Sequence, residues 1–492
     1  MKNYTPRFPP YAHQMKALNL SVDKENFALT MEMGTGKSKV ITDTFGYRVA
    51  RGDLDGLLII ARAGVYRNWE TELREHLDEE LYKDLYIGIW KGSPKQRARV
   101  MEEFFRRRGS PRALLMNVEA FSSVKMAEEV AEKYLKESKV LVAIDESTSI
   151  KGHNSERTRT ILRLSPYPAM RRIATGTPNP NSPLDLYSQF EFLDPKILGF
   201  SSFFAFRARY AVLRTQQVAP DRVVNGRVVK GRTAQIVVAF RNQDEIAKKI
   251  APFSYRVLKD DCLDLPPKIY QTRTVEMTAE QERIYAELKA FSTTELDQGG
   301  HVTTTTVITK LLRLHQVLCG HTKDEHGVLR VVSSHRLRVL LETMEEANWE
   351  KIIVWAPFIY SIEEITKTLR KWHGDASTVT YYGGTSSEER VTSIKRFQNE
   401  TNCRFFISNQ QTGGYGITLT AAKTMIFYSN NYDLEQRLQA EDRPHRIGLK
   451  HPINIVDLIA KNSVDEKIVK ALREKIDAVS LINQDGYKAW II

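Results

Sequence analysis

Phe27-Ala28-Leu29-Thr30, followed by Gly34-Thr35-Gly36-Lys37-Ser38 and then Lys39-Val40-Ile41-Thr42-Asp43-Thr44-Phe45, is the stretch that decides the fold. It reads as an apolar strand, a glycine-rich turn and a helix. That order cradles nucleotide phosphates. Glycines let backbone N–H groups come close, and a helix N-terminus favours negative charge. Lys37 has the reach for β- and γ-phosphates, and the Ser38 hydroxyl suits Mg²⁺. One departure is Met31, which stands five residues before Gly36, where the usual pattern has glycine. Taken alone, the stretch also fits a structural turn. A second element favours the phosphate reading: Val140-Leu141-Val142-Ala143-Ile144 is an apolar strand that delivers Asp145-Glu146 at its end. A carboxylate pair at a strand end is what a metal-holding element needs.

Around these two elements the chain reads as two α/β halves. Leu57–Ala61, Ala113–Asn117, Val140–Ile144 and Arg172–Thr175 are strands of the first half, and Tyr66 to Leu77 looks helical. Lys351–Trp355, Thr378–Tyr382, Arg404–Ser408, Thr424–Tyr428 and Ile453–Ile459 are strands of the second. Short apolar strands separated by helices predict parallel sheets covered on both faces. The expected first domain is 1–258 and the second 259–492. The expected connector is Asp260 to Met277, where Pro266-Pro267 breaks regular structure.

Bulk properties narrow the class. A chain of 492 residues suits more than one domain. The formal charge is +12, from 72 basic and 60 acidic residues, which fits a polyanionic partner or plain solubility. Cys262, Cys319 and Cys403 are dispersed and odd in number, so neither a metal cluster nor a disulfide framework is expected. No apolar run approaches the ~18 residues of a membrane span, and the N-terminus lacks the apolar core of a secretory signal. The expected setting is the cytoplasm of a microbial or virus-infected cell, with a nuclear one left open. No membrane partner is expected.

The order of further motifs resembles the Swi/Snf-type branch of superfamily-two helicases. Asp145-Glu146-Ser147-Thr148, with Ile150-Lys151 and Ser155, is similar to its second motif. Thr175-Gly176-Thr177-Pro178-Asn179-Pro180 resembles its third, and Leu265-Pro266-Pro267-Lys268 its inter-lobe signature. Tyr382-Gly383-Gly384, Glu389-Arg390 and Phe397 match the start of its second lobe, and Gly413 to Ala422 its fifth motif. Gln439-Ala440-Glu441-Asp442-Arg443-Pro444-His445-Arg446-Ile447-Gly448 is the strongest match, to the sixth. Two residues depart from the branch: Thr148, where His is common, and Gln411, where Arg is common.

The resemblance implies two RecA-like lobes with ATP bound in the cleft between them. Gln14 falls where the family reads adenine, although a polar residue opening a helix is the plainer alternative. Gly34, Thr35, Gly36, Lys37 and Ser38 would hold the phosphates, Ser38 and Asp145 the Mg²⁺, and Glu146 would activate the attacking water. Arg443 and Arg446 would reach the transferring phosphate from the second lobe, with Arg446 the better candidate for the arginine finger. Their alternative is a basic helix face at i, i+3 spacing. Expected nucleic-acid contacts are Arg62 and Asn117 in the first lobe, and Gln411, Gly413, Gly414 and Thr420 in the second. The glycine pair also fits a tight turn with no ligand. Such contacts position a backbone without reading its sequence.

One segment stands outside the family pattern. Residues 196–241 carry nine basic residues against one acidic, Asp221. Within it, Arg222-Val223-Val224 and Arg227-Val228-Val229 flank Asn225-Gly226, the sequence of a two-residue hairpin loop. A basic helical and β-hairpin insertion is therefore expected in the first lobe. Arg222, Arg227 and Lys230 would track a nucleic-acid strand, or would simply face solvent. The resulting expectation is an ATPase that moves along double-stranded DNA. A strand-separating or branch-migrating helicase is the alternative within the class, and a nucleic-acid-binding scaffold with a silent ATPase site the alternative outside it.

Overall fold

The computed structural model describes residues 4–176, 178, 182–217, 222–224, 227–229, 233–290, 293–295, 301–303, 307–413, 417–431 and 433–472. These fall into two units divided between Cys262 and Leu263. In the first, the apolar runs become strands because both of their faces are covered. β1 (Asn26–Met31), β2 (Gly56–Ala61), β3 (Tyr86–Ile89), β4 (Arg112–Asn117), β5 (Val140–Asp145) and β6 (Met170–Ala174) lie in one sheet. Successive side chains point to opposite faces of a strand. Leu58, Ile60, Leu114, Met116, Val142 and Ile144 enter one core with Phe104, Tyr134 and Phe190. Leu57, Ile59, Leu115, Leu141 and Ala143 enter the other with Phe45 and Trp69.

After β6 the chain leaves the sheet. Ser202 caps the helix Phe203–Tyr210 by accepting from the Ala205 N–H. β7 (Ala211–Gln217) and β10 (Thr233–Phe240) then form an antiparallel ribbon. Between them, β8 (Arg222–Val224) and β9 (Arg227–Val229) pair with Val224 opposite Arg227, the register of a two-residue loop. The expected insertion and its hairpin are present. The chain returns through β11 (Ser254–Val257), completing a seven-stranded sheet of order β11-β1-β6-β5-β2-β4-β3 in which all pairings are parallel.

The second unit repeats the plan. β12 (Lys268–Val275) comes first, then the small antiparallel pairs β13 (Thr293–Glu295) with β14 (His301–Thr303), and β15 (His321–Lys323) with β16 (Leu329–Val331). β17 (Ile352–Trp355), β18 (Thr378–Tyr381), β19 (Phe405–Ser408), β20 (Thr424–Phe427) and β21 (Ile453–Ala460) follow. They form a parallel six-stranded sheet, β12-β21-β20-β17-β19-β18. Ile352, Val354, Phe405 and Ile407 fill one face, and Ile353, Trp355 and Phe406 the other. Much of the expected irregular connector is β12, since the proline pair ends at Pro267 and the strand begins at the next residue. Parallel sheets covered on both faces make this an α/β chain of two lobes, as expected.

Candidate functional site

The glycine turn is built by backbone conformation. β1 ends at Met31, buried and paired with Val257, so this position serves the strand. The positive φ angles come later, at Gly34 (78°) and Gly36 (90°), and Gly36 is the N-cap of the helix Lys37–Ala50. A Cβ on Gly36 would lie 2.1 Å from Gln14 Nε2, so the left-handed backbone strains any side chain there and Gln14 would have to move. Gln14 Nε2 donates to the Thr35 carbonyl at 3.1 Å, and His13 Nε2 lies 2.8 Å from the same oxygen. Gln14 Oε1 accepts from the Tyr11 N–H at the start of the helix Ala12–Ser21. Lys37 folds back over the turn, donating to the carbonyls of Met31 (3.0 Å) and Glu32 (3.2 Å). Ser38 follows it, half-buried. A cradle that a Cβ would fill, with an ammonium and a hydroxyl at its rim, fits a triphosphate and its divalent cation.

Strand order brings the carboxylates to this turn. β1, β6 and β5 are neighbours, so their C-terminal ends share one edge of the sheet, where open α/β sheets bind ligands. Asp145 ends β5 and accepts a 2.9 Å hydrogen bond from the Trp69 indole. Burial pushes its carboxyl above the usual range, while the Trp69 bond and the Lys37 charge pull it back. Glu146 takes left-handed backbone angles (φ 51°, ψ 64°) that cost a non-glycine residue about 1–3 kcal/mol. Its Oε2 accepts from Thr175 Oγ1 at 3.3 Å. Gly176 lies against the turn, where a Cβ would stand 3.2 Å from the Met33 backbone nitrogen. Ser147 donates to buried Gln189, whose amide donates in turn to the carbonyls of Pro178 and Asp185. The second and third motifs are thus fastened to each other. Trp69, Gln189 and His13 were not singled out from the sequence. Trp69 lies in the helix Asn68–His76, where its spacing marks it as core.

In the second unit, Arg443 and Arg446 follow the helix Leu434–Glu441. Arg443 is buried and donates to the carbonyls of Gln439 (2.8 Å) and Ile417 (3.2 Å), and its own carbonyl accepts from the Leu419 N–H. Arg446 is half-buried, with Nε on the Asp442 carbonyl and Nη1 3.3 Å from Thr418 Oγ1. Arg443 therefore braces the segment Ile417–Leu419, while Arg446 is the more accessible guanidinium. Nearby, Arg437 joins Glu441, Asp457 and Asn430 in a buried network.

The expected nucleic-acid contacts fall in both units, with Arg62 and Asn117 at the ends of neighbouring strands. Arg62 follows β2 and sends Nη2 to Thr148 Oγ1 at 3.4 Å, so the residue replacing the common His takes a bond from a residue 86 positions away in sequence. Asn117 ends β4 and donates to Glu119, which also accepts from the Ala63 N–H. Gln411 is exposed. Gly413 is buried where a Cβ would strike Ser408 Oγ at 2.3 Å and the Trp355 ring at 2.7 Å, so packing alone demands glycine there. Thr420 accepts from Gln398. Arg222 and Arg227 stand opposite Val229 and Val224 in the hairpin. Gly414 and Lys230 lie outside the described residues. Among the described residues no helix is long and apolar enough to cross a membrane.

Comparisons with known proteins find matches along most of the chain. The SNF2-related domain profile matches residues 13–323, and the helicase conserved C-terminal domain profile matches 335–448. An uncharacterized ATP-dependent helicase of Mycoplasma pneumoniae is 26% identical over 470 residues, covering 94% of this chain and 40% of its own length. Nuclear protein STH1/NPS1 of Saccharomyces cerevisiae is 26% identical over 488 residues, covering 94% of this chain and 33% of its own. A solved SWI2/SNF2 ATPase core of Sulfolobus solfataricus, in complex with dsDNA, is 22% identical with a TM-score of 0.43, covering 99% of this chain and 96% of that one. The chain spans 40% or less of these two curated relatives. With the first profile covering well over half of its residues, the chain belongs to the SNF2-related domain family.

Proposed function

We propose that this chain is an ATP-driven translocase on double-stranded DNA. The observation that carries the reading is the shared sheet edge of the first unit. There the Gly34–Gly36 turn, Lys37 and Ser38 meet Asp145 and Glu146 through neighbouring strands. Lys37 exchanges its two carbonyl partners for β- and γ-phosphate oxygens of bound ATP. Ser38 and Asp145 are the residues that would hold Mg²⁺, whose charge would screen the phosphates. Glu146, held by Thr175, accepts a proton from the attacking water. Arg446 supplies positive charge to the transferring phosphate, and Arg443 keeps its segment in place.

Because these groups belong to two units, turnover requires both, and ATP favours whichever arrangement satisfies both. A ligand shifts such an equilibrium only by its difference in affinity for the two states. Family membership favours DNA, and the +12 charge supports sequence-independent contact with its phosphates. Arg62, Asn117, Gln411, Gly413, Gly414 and Thr420 are the proposed contacts of the two lobes. Dispersed cysteines and basic charge suit a reducing compartment that contains DNA.

A second reading rests on the ribbon. β7 and β10 pair only with each other among the described strands, and Val212, Ile236, Val237 and Val238 are exposed along them. Such an arm, with the β8–β9 pair between its strands, suits a wedge that separates strands. Forked and four-way substrates distinguish a wedge from a tracking arm. The main test is ATP turnover with and without duplex DNA, in wild type and Lys37→Ala. Duplex-stimulated turnover that the variant lacks supports the reading. Turnover indifferent to both DNA and Lys37 would contradict it.

A further inference from the structure

The strand that carries the chain into the second unit also holds the arginine-bearing turn. β12 begins directly after Pro267. Its first residue, Lys268, places Nζ 3.3 Å from Glu441 Oε2 and 3.4 Å from Asp442 Oδ1. Two residues on, Tyr270 donates its hydroxyl to the same Glu441 oxygen at 2.7 Å. The other Glu441 oxygen accepts from Arg437 Nε at 2.7 Å. Just upstream, the Pro266 carbonyl lies 2.9 Å from His445 Nε2, and the Pro267 carbonyl accepts from the Ile453 N–H. Both ends of the stretch Glu441–His445 are therefore fixed to residues 266–270. That stretch contains Arg443 and immediately precedes Arg446.

Apolar packing does not explain this attachment. Four consecutive residues of β12, Ile269 to Thr272, are exposed, and Tyr270 keeps 48% of its surface. Glu441, in contrast, is fully buried. A fully buried carboxylate is costly to hold unless every oxygen has a donor, and here the donors come from two directions. Arg437 supplies one from the carboxylate's own helix. Lys268 and Tyr270 supply the others from the strand next to the inter-unit connector. A carboxylate satisfied in this way fixes the distance and orientation between two backbone segments more tightly than an apolar contact would.

We propose that Lys268 and Tyr270 are positioning residues for Arg446, making the start of β12 and the segment Glu441–Arg446 one body, so that movement of the connector is delivered to the arginine. This rests on the reading of Arg446 as the group that meets the transferring phosphate. The link itself can be tested without that reading.

Tyr270→Phe keeps the ring and deletes one donor, Lys268→Gln removes the charge, and Lys268→Arg restores it. Amide hydrogen exchange in 437–446 is expected to speed up about tenfold in Tyr270→Phe and Lys268→Gln, with first-unit peptides unchanged. In duplex-stimulated ATP hydrolysis, kcat is expected to fall about 10- to 100-fold while KM for ATP stays within about twofold, because a displaced group costs rate more than binding. Lys268→Arg should recover most of kcat. Unchanged exchange in 437–446 overturns the proposal whatever the rates show. Faster exchange with an unchanged kcat overturns the positioning role. Should the wild type show no ATP turnover, the motor reading falls, and the exchange data alone decide the link.

Discussion

Asp145 and Glu441 are both carboxylates drawn into protein, one in each unit, and they are held in opposite ways. Glu441 is surrounded by donors. Burial alone would raise its carboxyl, but Lys268 and Arg437, with hydrogen bonds from Arg437 and Tyr270, hold it below its ordinary value. Asp145 accepts only from neutral donors, the Trp69 indole and the Glu146 N–H, with the Lys37 charge more distant, and burial leaves it above its ordinary value. The second unit uses its carboxylate to build a scaffold, so every charge is answered. The first leaves its carboxylate short of positive charge at the edge where a nucleotide and its cation are proposed to bind. A site that must accept a cation is destabilised until the cation arrives, whereas a scaffold has no reason to be. Left-handed Glu146 adds backbone strain beside Asp145.

The comparison can be broken most severely at Lys37. Lys37→Ala should reduce ATP turnover below detection while circular dichroism and DNA binding stay near wild type. Glu441→Ala comes next. Breaking the buried pair with Arg437, which keeps Asp457, and the contact with Lys268, which keeps Asp442, should cost about 3 kcal/mol, read from urea unfolding of the second unit. The pH dependence has a definite sign. With its folded value depressed, Glu441 contributes stability that is present above about pH 4.5 and is lost as pH falls through the folded value. Melting followed from pH 6 down to about pH 3 should therefore show a loss that Glu441→Gln lacks.

Gly36→Ala should destabilise the first unit by about 2–4 kcal/mol through its left-handed backbone and the collision with Gln14. Adding Gln14→Ala should recover only the part due to collision. Asp145→Asn keeps an acceptor for Trp69 and removes the poorly compensated charge. It should stabilise the first unit by about 0.5–2 kcal/mol while ending turnover, the opposite sign to Glu441→Ala. The smallest effect is expected at the hairpin. Replacing Arg222, Arg227 and Lys230 with Ala should reduce the salt slope of DNA binding by about 2–3, with a modest loss of affinity at low salt.

What was legible in the sequence follows from how each element is covered. β2, β4, β5, β17, β19 and β20 are sandwiched between two cores, so their central residues are apolar and the run stands out. β12 and β11 are edge strands. Lys268-Ile269-Tyr270-Gln271-Thr272-Arg273-Thr274-Val275 is exposed on both faces over Ile269–Thr272 and reads as polar, so it resembles a connector. β3, also at an edge, is only four residues long and contains Gly88, which makes room for the Phe104 ring. The Asn225-Gly226 hairpin was legible because its turn chemistry is local. In the site, Gly34, Gly36, Lys37 and Asp145 were legible because their roles are set by neighbours in sequence. Trp69, Gln189 and Tyr270 were not, because each acts on a partner at least 42 residues away that only the fold brings near.

ATP turnover is expected to need the arginine segment of the second unit as much as the glycine turn of the first. The most direct test is the steady-state rate of Arg446→Ala at saturating ATP and duplex DNA. A fall of about 10³-fold or more, with ATP binding retained, is the predicted result. A rate equal to wild type would contradict the account.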